Sequence, residues 1–328
     1  MSSARPECGE DCLEFLGESG PNPSFAFQNA CVRSAERGHL DCLRYAHEHG
    51  CPWIEGTCRL ASGNGHLECL RYAHEHGCPW NKWTCNHASL SGHLDCLRYA
   101  HEQGCPWDEV TPSSASLQGH LDCLRYAHEH GCPWNEWTCY RASKNGHLEC
   151  LRYAHEHGCP WNEDTCYHAS HNGHLELLRY AHEHGCPWGE DTCSGASRGG
   201  HLECLRYAHE QGCPWDEDTC VQACDGHLEL LRYALENGCP APDFTEIPVD
   251  LSLVPYLYHW GVRLDSDDNR NHIIDDHVRN HARKAKILLR CGVALLGAYQ
   301  RACDRVYSPD GVGYREAETS FHEALLKS

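Results

Sequence analysis

A nine-residue segment, Gly-His-Leu-Asp/Glu-Cys/Leu-Leu-Arg-Tyr-Ala, recurs through most of the chain and limits what the chain can fold into. Its copies begin at Gly38, Gly65, Gly92, Gly119, Gly146, Gly173, Gly200 and Gly226. Successive copies are 27 residues apart, except for a last step of 26. A fixed period of this kind indicates a repeat architecture, in which each repeat buries its apolar face against its neighbours. The sequence therefore predicts a linear stack of repeats.

Each repeat contains two predicted helices, as residues 162–185 illustrate. Asn162 is a good N-cap, and the acidic residues after it suit the positive end of the helix dipole. We expect this first helix to stop at Gly173. The second helix is expected to start at about Leu175 and to stop at Gly185, because glycine accepts the left-handed conformation that ends many helices.

The second helix of this repeat has an apolar and a charged side. The predicted buried side carries Leu177, Leu178 and Ala181. The opposite side carries Glu176, Arg179 and Glu183. We interpret this recurring acid–arginine–acid pattern as a solvated face whose ion pairs contribute roughly tenths of a kcal/mol each.

Fainter copies of the repeat flank the regular array on both sides. Terminal repeats diverge in such arrays because one of their faces meets water instead of a neighbour. Four segments are therefore expected. They are an N-terminal capping segment with a degenerate repeat at 1–37, eight repeats at 38–243, degenerate repeats at 244–293 and a C-terminal helical cap at 294–328.

The pattern Ala-x-x-x-Gly-His-Leu-Glu-x-Leu-x-Tyr-x-x-x-x-Gly is similar to the centre of the ankyrin repeat, over roughly residues 25–240. The resemblance implies an all-α, ankyrin-like solenoid of stacked helix pairs. The family's unit has about 33 residues, so the shorter unit implies that the projecting β-hairpin finger is reduced to a tight turn. The family's Thr-Pro-Leu-His opening is absent, and Thr165 and Cys166 stand in the places of its Pro and Leu.

Cysteine is unusually frequent, with 26 copies, most of them in three columns. The columns are represented by Cys58, Cys85 and Cys139 in the first helix, by Cys42, Cys69 and Cys96 in the second, and by Cys51, Cys78 and Cys105 in the turn after it. Leucine replaces the second-helix cysteine at Leu177 and Leu230. A core residue tolerates that replacement but a metal ligand does not, so the columns are interpreted as small apolar core residues.

A metal- or redox-responsive thiol protein is the alternative, since 28 histidines accompany the cysteines. Zinc needs four converging donors, whereas equivalent residues of adjacent repeats lie about 8–10 Å apart, the spacing of packed helices. Two columns would have to meet across a seam to form a site. We therefore expect no metal and no other cofactor.

Neither catalysis nor nucleic-acid binding is expected. The cysteines, histidines and acids recur in every repeat, whereas an active site is a single asymmetric constellation. The formal net charge of -20 disfavours phosphate backbones and anionic membrane surfaces. No secretory signal or membrane-spanning stretch is evident, so reduced thiols in the cytoplasm or nucleus are expected.

A tryptophan follows a proline in the turn of seven repeats, at Trp53, Trp80, Trp107, Trp134, Trp161, Trp188 and Trp215. Tryptophan buries a large apolar surface and favours edge or offset contacts with other rings. We interpret this column as the seal between neighbouring repeats.

The copies differ most on one side of the first helix, in the columns of Trp83, Asn86, His87 and Leu90. These positions are spaced i, i+3, i+4 and i+7, so they share one helix face. The resemblance places first helices on a concave surface. The candidate partner-binding residues are Trp83, Asn86, His87, Trp137, Tyr140, Arg141, Lys144, Asp164, Tyr167, His168 and His171.

Tryptophan, tyrosine and arginine carry much of the energy of protein interfaces. The sequence therefore predicts a non-enzymatic scaffold or adaptor that binds a partner protein through this face. Neutral drift on an unused surface is the alternative for the same variation.

Overall fold

The computed structural model describes residues 29–224 and 226–241, and the expected capping segments and degenerate repeats within 1–28 and 242–328 lie outside them. The described residues form sixteen helices and no strand. In chain order the helices are α1 (Ala30–Arg37), α2 (Leu40–Glu48), α3 (Glu55–Gly63), α4 (Leu67–Glu75), α5 (Lys82–Ser91), α6 (Leu94–Glu102), α7 (Val110–Gln118), α8 (Leu121–Glu129), α9 (Glu136–Lys144), α10 (Leu148–Glu156), α11 (Glu163–His171), α12 (Leu175–Glu183), α13 (Glu190–Gly199), α14 (Leu202–Glu210), α15 (Glu217–Ala223) and α16 (Leu228–Glu236).

The contacts divide the chain into two compact units, whose described parts are 29–169 with 176–187, and 170–175 with 188–241. In the first unit, α1 packs on α2, α3 on α4, α5 on α6, α7 on α8 and α9 on α10. The first helices α1, α3, α5, α7 and α9 also pack in sequence. In the second unit, α13 packs on α14 and on α15, and α15 packs on α16. Each unit is thus a stack of helix pairs, which confirms the all-α, solenoid-like fold class.

The turns between repeats are short. Residues 76–81 join α4 to α5 without any strand, as expected if the finger of a longer repeat is trimmed. At the end of that turn, the Asn81 side chain accepts a hydrogen bond from the backbone N–H of Trp83 at 3.0 Å and caps α5. Asparagine is among the best N-caps because its short side chain reaches an unpaired N–H of the first turn.

In most repeats, the glycine before the second helix meets two requirements. Gly65 has φ +75°, a left-handed conformation, and a Cβ added there would lie 2.6 Å from Nδ1 of His93 in the next repeat. The glycine after each second helix is needed only for its left-handed backbone. Gly77, for example, has φ +82° and open space around it. Histidine of one repeat therefore packs directly on backbone of the preceding repeat.

The interior follows the predicted columns. Leu177, Leu178 and Ala181 are buried, while Glu176, Arg179 and Glu183 are exposed, as predicted. Every cysteine of the described residues is also buried, which confirms that the three columns belong to the core.

The turn cysteines do more than fill space. The Cys105 thiol donates a hydrogen bond to the Asn81 carbonyl at 3.2 Å, and the Cys132 thiol donates to the Asp108 carbonyl at 3.3 Å. Each bond joins the end of a second helix to the start of the first helix of the same repeat. Interpreting these residues as small hydrophobes alone therefore missed a polar contact that closes the repeat.

No helix among the described residues combines the length and apolar character that a bilayer-spanning helix needs.

Candidate functional site

The variable side of the first helices carries two large exposed apolar side chains. Trp83 on α5 is 47% exposed and Trp137 on α9 is 52% exposed. The third such side chain among the described residues is Ile54, which directly precedes α3. Two of the three therefore lie where sequence variation predicts a binding surface, which we call the first-helix face.

The two tryptophans occupy equivalent, well-fixed positions. Trp83 follows the cap Asn81, and the backbone N–H of Trp137 bonds to the side chain of Asn135 at 3.1 Å in the same way. A capped first turn holds the backbone of the third residue in place. Both side chains are thus presented from fixed backbone.

An aromatic cluster extends from Trp137 onto the next repeat. The ring of Trp137 meets Tyr140 edge-on at 5.1 Å, and Tyr140 meets His168 of α11 edge-on at 4.5 Å. His168 in turn contacts the ring of Tyr167 at 4.8 Å. Lys144 lies over the Tyr140 ring, with its ammonium 5.8 Å from the ring centre. Four of the predicted site residues on α9 and α11 therefore form one connected cluster with Lys144.

The charged members of this face differ in exposure. Lys144 and Asp164 are exposed, while Arg141 and His171 are half-buried. The Asp164 carboxylate accepts a hydrogen bond from the Asn162 side chain at 3.1 Å. His171 belongs to the second compact unit, where its Nδ1 lies 3.4 Å from the Gly195 carbonyl oxygen.

The structure places Asn86 differently from the other predicted residues. Its side chain is only 2% exposed, donates to the Asp108 carboxylate at 3.4 Å and accepts a short hydrogen bond from the Thr111 hydroxyl. Asn86 therefore joins α5 to the next repeat. The Asn86 side chain is therefore engaged in this contact between repeats and offers little surface to a partner.

Between the two tryptophans lies α7, whose side chains on this face are small and largely buried. Ser113 and Ser114 on α7 are 2% and 5% exposed. Trp83 and Trp137 thus stand on either side of a helix whose outward residues project little. The first-helix face is uneven, with two aromatic projections separated by one low repeat.

His87 completes the face beside Trp83. Its ring meets Trp83 at 6.5 Å, and its Nε2 lies 3.5 Å from an Arg59 guanidinium nitrogen. Burial, and then the charge of Arg59, lower the pKa of His87. The neutral ring is thereby favoured at neutral pH, and Arg59 places a positive charge beside it.

Sequence reasoning missed a second ordered cluster, which lies at the seams between second helices. His74 stacks on Trp80 at 3.7 Å, and its Nδ1 lies 3.0 Å from the Tyr99 hydroxyl of the next repeat. Trp80 also meets the Tyr99 ring edge-on at 6.4 Å. Trp80 therefore lies between two repeats, as interpreted, and the same contacts recur at the neighbouring seams.

The arginine of the acid–arginine–acid pattern was interpreted as part of a solvated face, but in the structure it contacts the next repeat. The Arg71 guanidinium lies over the Tyr99 ring of the next repeat, 5.3 Å from its centre, and Arg98 lies over Tyr126 at 5.7 Å. Such a contact contributes about 0.5–1 kcal/mol at exposed sites. The face is thus a set of inter-repeat contacts as well as a solvated surface. The constant step between Arg and Tyr was the sequence signal for it.

A polar groove of about 440 Å³ lies on the side formed by the second helices, between α10 and α12. It is lined by acidic residues, arginines, Tyr180 and His184. Within the described residues, no three His, Cys, Asp or Glu side chains are grouped closely enough to hold a metal ion.

Comparison with known proteins finds similarity to ankyrin repeats. The crystal structure of the human ASB11 ankyrin repeat domain is similar with a TM-score of 0.43 and 17% identity, over 48% of this chain and 84% of that domain. No curated protein matches the chain. The family model for ankyrin repeats in many copies matches residues 113–155, which run from α7 into α10. Residues 113–155 therefore match the ankyrin-repeat family, and their helix pair recurs in sequence and structure, as a shortened 27-residue repeat, throughout the described residues.

Proposed function

We propose that this protein is a non-enzymatic scaffold or adaptor that binds a partner protein through its first-helix face. Ankyrin repeats generally mediate protein–protein interaction. The observation that carries the proposal here is the exposure of Trp83 and Trp137, at 47% and 52%, on the most variable side of the repeats. Tryptophan is among the residues that most often carry the binding energy of a protein interface.

The energetics of the face favour association. Covering an exposed tryptophan releases about 25 cal/mol per Å² of apolar surface removed from water. The Trp137 ring is already held by Tyr140, and the backbone beneath it is held by the Asn135 cap. Little side-chain freedom therefore remains to be lost on binding, so more of the contact energy appears as affinity.

Small residues on α7 give the surface its selectivity. A partner has to fill the low region above Ser113 and Ser114 while contacting a tryptophan on each side. Arg141 and Lys144 add positive charge beside the aromatic rings. The frequent cysteines suit a reducing compartment, so we place this scaffold in the cytoplasm or nucleus.

The test compares retention of partner proteins by wild-type and variant chains. Trp137→Ala, Tyr140→Ala and Arg141→Ala, combined in one chain, should cost about 2 kcal/mol or more of binding energy, roughly thirtyfold in affinity. All three side chains are at least partly exposed, so helicity and melting temperature should change little. Proteins retained by the wild type are identified by mass spectrometry, and the affinity of each is then measured against the variant.

A matched control removes charges from the opposite face. Glu149→Ala with Glu156→Ala should leave retention unchanged, because both residues lie on the exposed side of α10. Arg152 is kept because it stacks over Tyr180 at 5.2 Å and supports a seam. Loss of binding in the control together with full binding by the triple variant would place the recognition surface on the second helices.

A further inference from the structure

Two arginines on the first-helix face have no carboxylate partner among the residues that the structure describes. Arg59 on α3 and Arg141 on α9 are both half-buried. The Arg59 guanidinium lies 3.5 Å from the His87 ring, and neither guanidinium forms an ion pair with a described residue. Acidic residues outnumber basic ones by 47 to 27, so a shortage of carboxylates does not explain this. A partly desolvated guanidinium without a counter-ion lacks the compensation that a carboxylate gives.

The surroundings of each arginine explain why it is unpaired. Glu55 stands four residues before Arg59, the spacing of a helical ion pair. Its carboxylate instead accepts a hydrogen bond from the Asn81 side chain of the next repeat at 2.6 Å. On α9, none of the positions three or four residues from Arg141 is acidic. Both guanidiniums are thus available to a carboxylate of another molecule.

Each of these arginines accompanies an exposed tryptophan. Arg141 follows Trp137 by four residues, so the two side chains share one face of α9. Arg59 is linked to Trp83 through His87, whose ring centre lies 6.5 Å from that of the tryptophan. The first-helix face therefore presents the same combination twice, a large apolar surface with a positive charge beside it.

The two combinations are separated by the low surface of α7. The helices α5, α7 and α9 pack in sequence. Packed helices lie about 8–10 Å apart, so the two tryptophans are presented about 16–20 Å apart along the stack. An extended chain rises about 3.3 Å per residue, so about five to six residues span that distance. Ser113 and Ser114 project little, which leaves room for the backbone of such a chain.

We propose that the partner of the first-helix face is an extended acidic peptide segment, with two apolar side chains about five to six residues apart and a carboxylate beside each. The apolar side chains pack on Trp83 and Trp137, and the carboxylates accept hydrogen bonds from Arg59 and Arg141. Because a guanidinium binds a carboxylate through two parallel hydrogen bonds, each arginine orients the peptide as well as attracting it. This proposal rests on the proposed function and adds the chemistry of the partner to it.

Single-stranded nucleic acid is the other ligand class that combines stacking on aromatic rings with arginine contacts. Its phosphates carry a charge at every nucleotide. The exposed acids Glu55, Glu136 and Asp164 at the starts of the first helices, and the net charge of -20, repel such a backbone. A peptide can place its carboxylates only where the arginines lie. The charges of the face therefore favour the peptide.

The test selects peptides on the full-length protein. A displayed library of random peptides is panned on the wild type and on a chain that carries Arg59→Gln and Arg141→Gln. The wild type should enrich peptides with carboxylates beside apolar side chains, and the variant should lose the preference for carboxylates. Enrichment of neutral or basic peptides by the wild type, enrichment of no peptide, or retention of single-stranded DNA in place of peptides would overturn the proposal.

A synthetic copy of one enriched peptide gives the magnitude. Each of Arg59→Gln and Arg141→Gln should weaken its binding roughly tenfold, as expected when a hydrogen bond between charged groups is lost. Arg98→Gln with Arg125→Gln is the control, because it removes the same charge from the second helices. That chain should bind the peptide as the wild type does. Equal weakening by both double variants would show that net charge governs binding, which contradicts the proposal.

A tryptophan variant separates the two levels of inference. If the peptide binds the Arg59→Gln, Arg141→Gln chain like the wild type but does not bind a Trp83→Ala, Trp137→Ala chain, the face binds partners and the acidic chemistry is wrong. If the peptide binds both variants as tightly as the wild type, the first-helix face is not the binding surface, and the proposed function fails as well.

Discussion

At the scale of single residues, the glycines show how one repeated position meets two physical demands. Gly65 adopts φ +75° and also leaves room for the His93 ring of the next repeat. Gly77 adopts a similar φ of +82° but has no neighbour within 4 Å of an added Cβ. The two glycines thus separate backbone strain from packing between repeats.

Substitution by alanine should therefore affect the two positions unequally. Gly77→Ala should cost about 1–2 kcal/mol, the usual penalty for a left-handed conformation at a non-glycine residue. Gly65→Ala should cost clearly more, because the Cβ would also displace the His93 ring. Chemical denaturation of the two variants measures the difference in their free energies of unfolding. Equal losses of stability would show that the contact with His93 adds no cost to the substitution.

At the scale of helices, neighbouring repeats are joined by the histidine, tryptophan, arginine and tyrosine side chains of the second helices and turns. Tyr99 receives three of these contacts: a hydrogen bond with His74, an edge contact from Trp80 and the guanidinium of Arg71. Because the same set recurs at successive seams, the coupling between helix pairs is distributed evenly along each stack. Such nearest-neighbour coupling governs the cooperativity of repeat proteins.

Tyr99→Phe should weaken this seam by about 1 kcal/mol, since it removes the hydroxyl that bonds His74 and keeps the ring. Tyr140→Phe is the matched control, because the contacts of Tyr140 described above are made through its ring. Denaturant midpoints compare the two variants. A larger loss for Tyr140→Phe would indicate that the His–Tyr hydrogen bond contributes nothing net to the seam.

At the scale of the molecule, the seam histidines make stability depend on pH. Burial is the main cause that lowers the pKa of His74, and burial followed by the charge of a neighbouring histidine lowers the pKa of His101 and His128. An unfolded histidine has a pKa of about 6.5. Below that value the unfolded chain binds protons that the folded chain resists, so the folded state loses stability.

The melting temperature should therefore fall between pH 7.5 and pH 5.5, with the loss beginning near pH 6.5 and continuing toward the lower pKa values of the folded protein. Repeating the melts at high salt separates the two causes, because salt screens repulsion between histidines but leaves their burial unchanged. A melting temperature that stays constant over this range would contradict the assignment of these histidines to the seams.

The sequence by itself determined the repeat, the helix pairs and the residues that face inward. Period, caps and amphipathic spacing act within one repeat, so Leu178 and Glu183 could be placed from neighbours a few positions away. The exposed Trp83 and Trp137 were found in the same way, from variation on one helix face.

Only the tertiary structure decided which side chains of different helices meet. Asn86 is buried against Asp108 and Thr111, and Arg71 lies on Tyr99. These contacts depend on the rotation and offset of one helix against another, and a spacing along the chain does not specify either quantity. Local periodicity therefore fixes which face is buried, while the packing of whole helices fixes the partner that buries it.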